Sequence, residues 1–356
     1  MLRDLTIKNY RAFKDFSIDG LARVNLIVGD NNAGKTSFLE AVYLLASRGG
    51  VAPLVELLNA RGEFTLDITR ETLQGSIHYQ LAAVYFDREP QIGSQITISS
   101  KHDNDQTVTL HLRNRPEAQL SGPPLELIVT YRSTQPDELG SPANSTALPL
   151  HEGWEYVSDR FVTQLGTMAS RARFIDVADA DFEYLADLWD AVIRDPVKEQ
   201  VVTTALQIIE PAAEDIRFTS KRTVGGTLVK LKEYSTRVTI SSLGEGIRRA
   251  LALALSAVTV GKGVLLIDEI DTGLHYRAQA DVWRLLLKVA RERDIQIFAT
   301  THSWDCVEAF QEALAEDDNA DQGYLFRLQR RGDAIYPVGY TSDDLDVAVS
   351  HAIEVR

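Results

Sequence analysis

The chain has 356 residues, 44% hydrophobic and 25% charged, the make-up of an ordinary soluble globular protein with one large core or two modest ones. Its formal net charge of −14 argues against indiscriminate nucleic-acid binding, and the single cysteine, Cys306, excludes an internal disulfide framework and fits a reducing cytoplasm. No apolar run approaches the ~20 residues needed to span a bilayer, and Met1 to Lys8 lacks the apolar core of a signal peptide, so no membrane partner is expected.

Alternation of Leu5, Ile7 and Tyr10, then Phe16 and Ile18, predicts strands leading into a short apolar strand, Val24 to Val28. The next eight residues, Gly29, Asp30, Asn31, Asn32, Ala33, Gly34, Lys35 and Thr36, match the phosphate-loop spacing G-x-x-x-x-G-K-S/T at every fixed position. An amphipathic helix follows from Ser37 to Leu45. In this strand–loop–helix setting the glycines let backbone N–H groups curl around phosphate oxygens, and the helix N-terminus adds the positive end of its dipole. Lys35 would reach the terminal phosphates and the Thr36 hydroxyl would ligate Mg²⁺, so the chain is expected to bind a nucleoside triphosphate.

Between Glu63 and Arg132 several strand-like runs, Phe64 to Ile68, Ser76 to Phe86, Gln95 to Ile98, Thr107 to Leu112 and Leu125 to Tyr131, predict an antiparallel sheet or meander. We therefore expect residues 51–169 to form an inserted β-rich lobe, with the Pro-, Ser-, Gly- and Asn-rich stretch 133–148 as a flexible loop. After Arg173 the pattern turns helical. Asp181 to Ile209 predicts two helices, the second opened by Pro196, followed by a hairpin, Ile216 to Thr219 and Leu228 to Leu231, turning at Gly225 and Gly226. No heptad pattern long enough for a coiled-coil arm is present, so a short helical and hairpin subregion, about 180–235, stands in its place.

Three further motifs follow in order. Ser241, Ser242, Leu243, Gly244, Glu245 and Gly246 precede the helical run Ala250 to Val258, and small residues opening a helix make a second anion-binding nest. Gly263 to Ile267 is a continuous apolar run, as in a parallel strand buried on both faces, and ends in Asp268 and Glu269. Asp268 would hold Mg²⁺, while Glu269, pointing the other way along the strand, would position and deprotonate the attacking water. Asp271 and Thr272 allow a different role for the acids, as caps of the next helix. Ile295 to Thr301 is another apolar strand, ending in His302 and Ser303, where a histidine can hydrogen-bond the γ-phosphate or the water.

The phosphate loop, the Ser-x-Gly helix start, the Leu-Leu-Ile-Asp-Glu strand and the Thr-Thr-His-Ser end, in that order, resemble the heads of ABC-type ATPases. The branch most similar contains RecF, the chromosome-maintenance heads and the overcoming-lysogenization-defect (OLD) nucleases, together with stand-alone bacterial AAA or ATP-binding proteins. The resemblance implies an α/β P-loop NTPase head made of residues 1–50 and 170–356, using ATP and Mg²⁺. It further implies that two heads sandwich two ATPs in a homodimer or higher homo-oligomer. Each site would combine Gly29 to Ser37, Asp268, Glu269 and His302 of one copy, with Lys35, Glu269 and His302 as the catalytic groups, and Ser242, Gly244 and Gly246 of the other. The Ser-Leu-Gly-Glu-Gly signature and the Thr-Gly-Leu-His loop depart from transporter subunits, and Gln164 is the nearest candidate for the glutamine that usually completes the Mg²⁺ shell.

The stretch after His302 is shorter than the ~100 residues of an independent domain, so the Toprim nuclease of the OLD proteins is not expected here. The leading expectation is an ATP-hydrolysing switch that regulates a separately encoded effector, by resemblance a nuclease, in anti-phage defence or nucleic-acid surveillance. The RecF side of the resemblance implies instead a repair ATPase that binds DNA directly, and a third reading is a structural ATP-binding scaffold with little turnover. The basic pairs Lys221-Arg222, Arg248-Arg249 and Arg330-Arg331, and the acid pairs Asp317-Asp318 and Asp343-Asp344, read as solvated surface.

Overall fold

The computed structural model describes residues 1–68, 75–102, 105–116, 124–134, 143–158, 172–175, 182–219, 226–316 and 320–355. Gln164, Lys221, Arg222, Gly225, Asp317 and Asp318 lie outside the described residues. Strands β1 (Asp4–Tyr10), β2 (Phe13–Asp19) and β3 (Val24–Val28) open the chain and lead into helices α1 (Lys35–Ala46) and α2 (Val51–Ala60). A run of strands succeeds them: β4 (Phe64–Ile68), β5 (Gly75–Gln80), β6 (Gln95–Ser100), β7 (Gln106–Asn114), β8 (Leu125–Ser133), β9 (Ala143–Leu150), β10 (Glu155–Ser158) and β11 (Ala172–Ile175). Helices α3 (Phe182–Val192) and α4 (Pro196–Ile209) then precede β12 (Ala213–Thr219), β13 (Gly226–Leu231) and β14 (Val238–Thr239). The chain continues through α5 (Glu245–Thr259), β15 (Val264–Ile267), α6 (Tyr276–Arg293), β16 (Gln296–Thr300) and α7 (Trp304–Leu314), then β17 (Gly323–Arg331), β18 (Ala334–Tyr340) and α8 (Ser342–Ser350).

The central sheet runs β11-β15-β16-β3-β17-β18, parallel up to β17, with β18 antiparallel at the edge. Every residue of β3 and β16 is buried, as their continuous apolar sequences require of strands covered on both faces. Because β16 separates β3 from β15, the phosphate loop, the acid pair and His302 all leave the carboxyl end of one sheet, where open α/β sheets bind ligands. β11, only four residues long, is too short to show a period in the sequence, yet it pairs with all of β15.

Helix α1 lies between this sheet and a second, antiparallel one. Its residues Ser37 to Leu45 are buried all the way round, so it is a core helix rather than a surface one. Phe38 links the layers: its ring is 6.1 Å from Phe16 on β2 and 6.0 Å from Phe298 on β16. The second sheet, β2-β1-β6-β7-β8-β9, joins the opening hairpin to the strands expected as an inserted lobe, with Ile7 opposite Ile98 across β1 and β6. Those strands are therefore continuous with the first part of the chain. Their inward residues Ile96, Ile98, Val108, Leu110, Leu127 and Val129 share one core with α1.

Within the strand-rich block the structure differs from the sequence reading in three places. Val51–Ala60 is a helix that buries Leu54, Val55, Leu57 and Leu58. The Ser76 to Phe86 run breaks after Gln80 into a short 3₁₀ turn, Leu81–Val84. Residues 143–148, expected in a loop, belong to β9, whose pairing with β8 sets Leu148 opposite Leu127. Long-range pairing there overrides the turn-like composition, and Pro149 is tolerated because β9 is the edge strand.

The opposite face of the central sheet is covered by α5, α6 and α7, where Trp283 packs 4.7 Å from Phe310 and Cys306 is buried as a free thiol. A third core joins α3, α4 and α5 to the β12-β13-β14 sheet. Asp195 caps α4 by accepting from the N–H groups of Val197 and Lys198, with Pro196 at the first helical position, as the sequence predicts. Asp343 and Asp344, read from sequence as loop acids, lie in the first turn of α8, where Thr341 and Asp344 form a capping box.

Candidate functional site: the nucleotide crevice

The loop from Gly29 to Gly34 alternates backbone hand, with φ of 143° at Gly29, 66° at Asn32 and 92° at Gly34. This alternation is how successive N–H groups are turned toward one point to form an anion nest. Two glycines are sterically required. A Cβ on Gly29 would lie 2.6 Å from the Leu328 carbonyl oxygen of β17, and one on Gly34 would meet Phe13, Ala12 and Ile335 at 3.1–3.2 Å. The loop is thus cradled between the β1–β2 turn and the β17–β18 hairpin, and Arg330 Nη1 donates to the Asn32 carbonyl at 3.4 Å.

The Lys35 ammonium lies across the loop mouth, donating to the carbonyls of Gly29 at 2.7 Å and Asp30 at 3.0 Å. Burial holds its pKa below the usual lysine value, opposed by the charges of Asp268, Glu269 and Asp30. The Thr36 hydroxyl donates to Asp268 Oδ2 at 2.8 Å, closing the gap between α1 and the end of β15. Asp268 itself is buried, and its Oδ1 accepts the hydroxyl of Thr300 at the end of β16.

Glu269 departs from the expectation of simple alternation along a strand. β15 ends at Ile267, and Glu269 adopts a left-handed turn with φ 45°. Its carboxylate accepts from the Thr272 hydroxyl at 3.3 Å and approaches His302 Nδ1 at 3.9 Å; the two side chains are about half exposed at 46% and 55%. Next to His302, the Thr301 hydroxyl donates to Asp271 at 2.5 Å, so the end of β16 is tied to the turn that follows the acids.

The structure brings Gly29 to Thr36, Asp268, Glu269 and His302 together at one edge. Ser242, Gly244 and Gly246 stand at and just before the start of α5, Ser242 and Gly244 exposed and Gly246 partly buried. Gly244, with φ 93°, is the N-cap of α5, Ser242 donates to the Thr239 carbonyl at 2.6 Å, and a Cβ on Gly246 would touch the Gly273 carbonyl at 3.1 Å. Among the described residues no hydrogen bond joins this segment to the phosphate loop. One member of a basic pair is not solvated surface: Arg249 is 4% exposed and donates to the carbonyls of Asp268 at 2.9 Å and Glu269 at 3.2 Å. Sequence reasoning missed Arg249 and Thr300 as site residues; the position of each, beside a recognised motif, was the available signal.

Thr36 and Asp268 supply two hard oxygen donors beside the loop, a set that fits Mg²⁺, which takes its remaining ligands from phosphate and water. A separate cavity of about 830 Å³, lined in part by Arg3, Asp19, His102 and Asp343, opens at the amino end of the central sheet and contains none of these residues. No helix among the described residues is long and apolar enough to cross a membrane.

A family model described as "AAA domain, putative AbiEii toxin, Type IV TA system" matches residues 24–305, a span that holds every site residue above. The chain belongs to this AAA family. As a member, it is 23% identical to the ATP/GTP phosphatase of Helicobacter pylori, with 97% of both chains covered. It is also 23% identical to the OLD nuclease of Thermus scotoductus, covering 85% of this chain and 59% of that relative, so it spans little more than half the nuclease's length. RecF of Bacillus cytotoxicus is 40% identical over 45 residues, 13% of this chain and 12% of RecF. The SMC head domain from Thermotoga maritima superposes over 95% of this chain and 98% of that one at 13% identity, with a TM-score of 0.45. By these relatives the AAA-family chain is similar to the RecF and OLD branch of ABC-type ATPases.

Proposed function

We propose that this protein is a switch that hydrolyses ATP to ADP and phosphate, closes two heads on ATP, and regulates a separately encoded effector. The observation that carries the reading is the hydrogen-bonded line from Thr36 through Asp268 and Thr300 to Glu269, with His302 beside it, at the mouth of the phosphate loop. Backbone N–H groups of the loop and Lys35 bind the β- and γ-phosphates; Lys35 exchanges its bonds to the Gly29 and Asp30 carbonyls for phosphate oxygens. Mg²⁺ held by Thr36 and Asp268 would neutralise charge developing on the transferred phosphoryl group. Glu269 accepts the proton of the attacking water, and His302 hydrogen-bonds the γ-phosphate or that water.

Ser242, Gly244 and Gly246 would complete the site from a second copy. Support for this comes from the exposure of Glu269 and His302 and of Ser242 and Gly244. The closed pair then depends on the γ-phosphate and loosens on hydrolysis. A nuclease as the effector, and a role in anti-phage defence or nucleic-acid surveillance, draw their support from the OLD nuclease relative. A nucleoside triphosphate as the substrate draws on the ATP/GTP phosphatase relative, and ATP in particular on the resemblance of the motifs.

The deciding experiment compares wild type with Glu269→Gln. Steady-state turnover of the variant is expected to fall by roughly 10²- to 10⁴-fold while ATP still binds. Light scattering should find the variant dimeric with ATP and monomeric without it. A variant that turns over ATP like wild type removes Glu269 from its role, and an assembly of the same mass with and without ATP removes the nucleotide-dependent closure.

A further inference from the structure

Glu269 carries a backbone conformation that L-residues with long side chains adopt only where their surroundings over-determine it. Its peptide groups show what does so. The Glu269 N–H donates to Thr300 Oγ1 at 2.9 Å. The Glu269 carbonyl accepts from Arg249 Nη2 at 3.2 Å and from the Thr272 N–H at 3.0 Å. The same Arg249 nitrogen reaches the Asp268 carbonyl at 2.9 Å.

Thr300 is fully buried, and its hydroxyl has one proton to give. That proton goes to Asp268 Oδ1, which leaves the oxygen lone pairs for the Glu269 N–H and leaves Asp268 Oδ2 facing Thr36. One hydroxyl therefore sets both the rotation of the metal-binding carboxylate and the start of the left-handed turn. Arg249 fixes the other side of the same peptide. Away from water such bonds are stronger than exposed ones, and a lost partner is correspondingly costly.

We propose that Thr300 and Arg249 are positioning residues for the hydrolytic step, clamping the Asp268–Glu269 peptide from the β16 side and the α5 side. Both act through the Asp268–Glu269 backbone and the Asp268 carboxylate. They hold Glu269 in the turn that aims its carboxylate at the crevice beside His302 rather than along the strand. Because Arg249 projects from α5, whose N-terminus carries Gly244 and Gly246, a shift of that segment reaches the Glu269 carbonyl through one guanidinium group. The proposal rests on the reading of Glu269 as the group that activates water.

The test uses the full chain with Thr300→Val, which keeps the volume and removes the hydroxyl, Thr300→Ser, which restores it, and Arg249→Lys, which keeps the charge but spans one carbonyl rather than two. Turnover, KM for ATP and binding of a fluorescent ATP analogue are measured for each, with Glu269→Gln alongside. In Thr300→Val, kcat is expected to fall roughly 10- to 100-fold, as for a misaligned reacting group, with analogue affinity held within about threefold. Thr300→Ser should recover most of the lost kcat, and Arg249→Lys should show the same kcat-only loss. Arg249→Lys also decides the matter if Thr300→Val does not fold. Turnover near wild type in Thr300→Val or Arg249→Lys, beside an inactive Glu269→Gln, overturns the clamp alone. Proportional loss of kcat and affinity assigns these residues to the fold instead. An active Glu269→Gln refutes the underlying reading of Glu269.

Discussion

Gly29 lacks a side chain where the Leu328 carbonyl, 2.6 Å from the position of a Cβ, leaves no room for one. The phosphate loop is therefore shaped by a strand hundreds of residues later in the chain as well as by its own glycines. Gly29→Ala must displace either β17 or the loop, at a cost of about 1–3 kcal/mol of strain, so nucleotide affinity is expected to fall roughly tenfold or more. Titration with a fluorescent ATP analogue checks this; unchanged affinity would mean that the hairpin yields freely. At this scale the sequence was legible wherever chemistry follows a fixed local spacing: Gly29 to Thr36, the Asp268-Glu269 step and His302 after its strand. Thr300 and Arg249 escaped notice because their bonds to the Glu269 peptide cross 31 and 20 residues of chain. Only the pairing of β16 with β15 and the packing of α5 create those contacts. Reading Arg248-Arg249 as a solvated pair treated two neighbours alike, although a helix turns adjacent residues to different faces.

Helix α1 joins the two large sheets, and Phe38 is its central contact, fully buried between Phe16 and Phe298. Phe38→Ala should cost about 3–5 kcal/mol, measured by urea denaturation, because neither sheet can collapse into the space without the other. A loss below about 1 kcal/mol would show that the layers close independently. The elements that sequence reasoning located share strong periodicity or distinct caps: α1, the β6-to-β8 meander, α4 behind Asp195 and Pro196, β15 and β16. Those it missed lack such signals. β11 is four residues long, α2 combines apolar residues with a proline, and β9 reads like a loop until β8 supplies its partner. The pairing of β1 with β6, far apart in sequence, carries strands from both sides of residue 50 into one sheet. A boundary drawn from local composition cannot register that pairing.

For the whole molecule, the central sheet gathers its chemistry at its carboxyl end and leaves Glu269 and His302 half exposed, with Ser242 and Gly244 exposed ahead of α5. Across the same sheet lies Cys306, the chain's single cysteine, in the first turn of α7 and buried. Burial, aided by the charge of Asp271, pushes its thiol up to about 12, so the native protein offers a thiol reagent almost no thiolate near neutral pH. Reaction must wait for α7 and the neighbouring turn to open, which makes the labelling rate a clock for that local motion. Native protein at pH 8 should react orders of magnitude more slowly than urea-unfolded protein. If opening also releases nucleotide, ATP with Mg²⁺ at about 100 times Kd should slow the clock by roughly 100-fold. A rate insensitive to nucleotide would place the motion on the far side of the sheet alone. The sulfur atom thus offers a label-free background for any cysteine introduced elsewhere, and a timekeeper for opening at its own position.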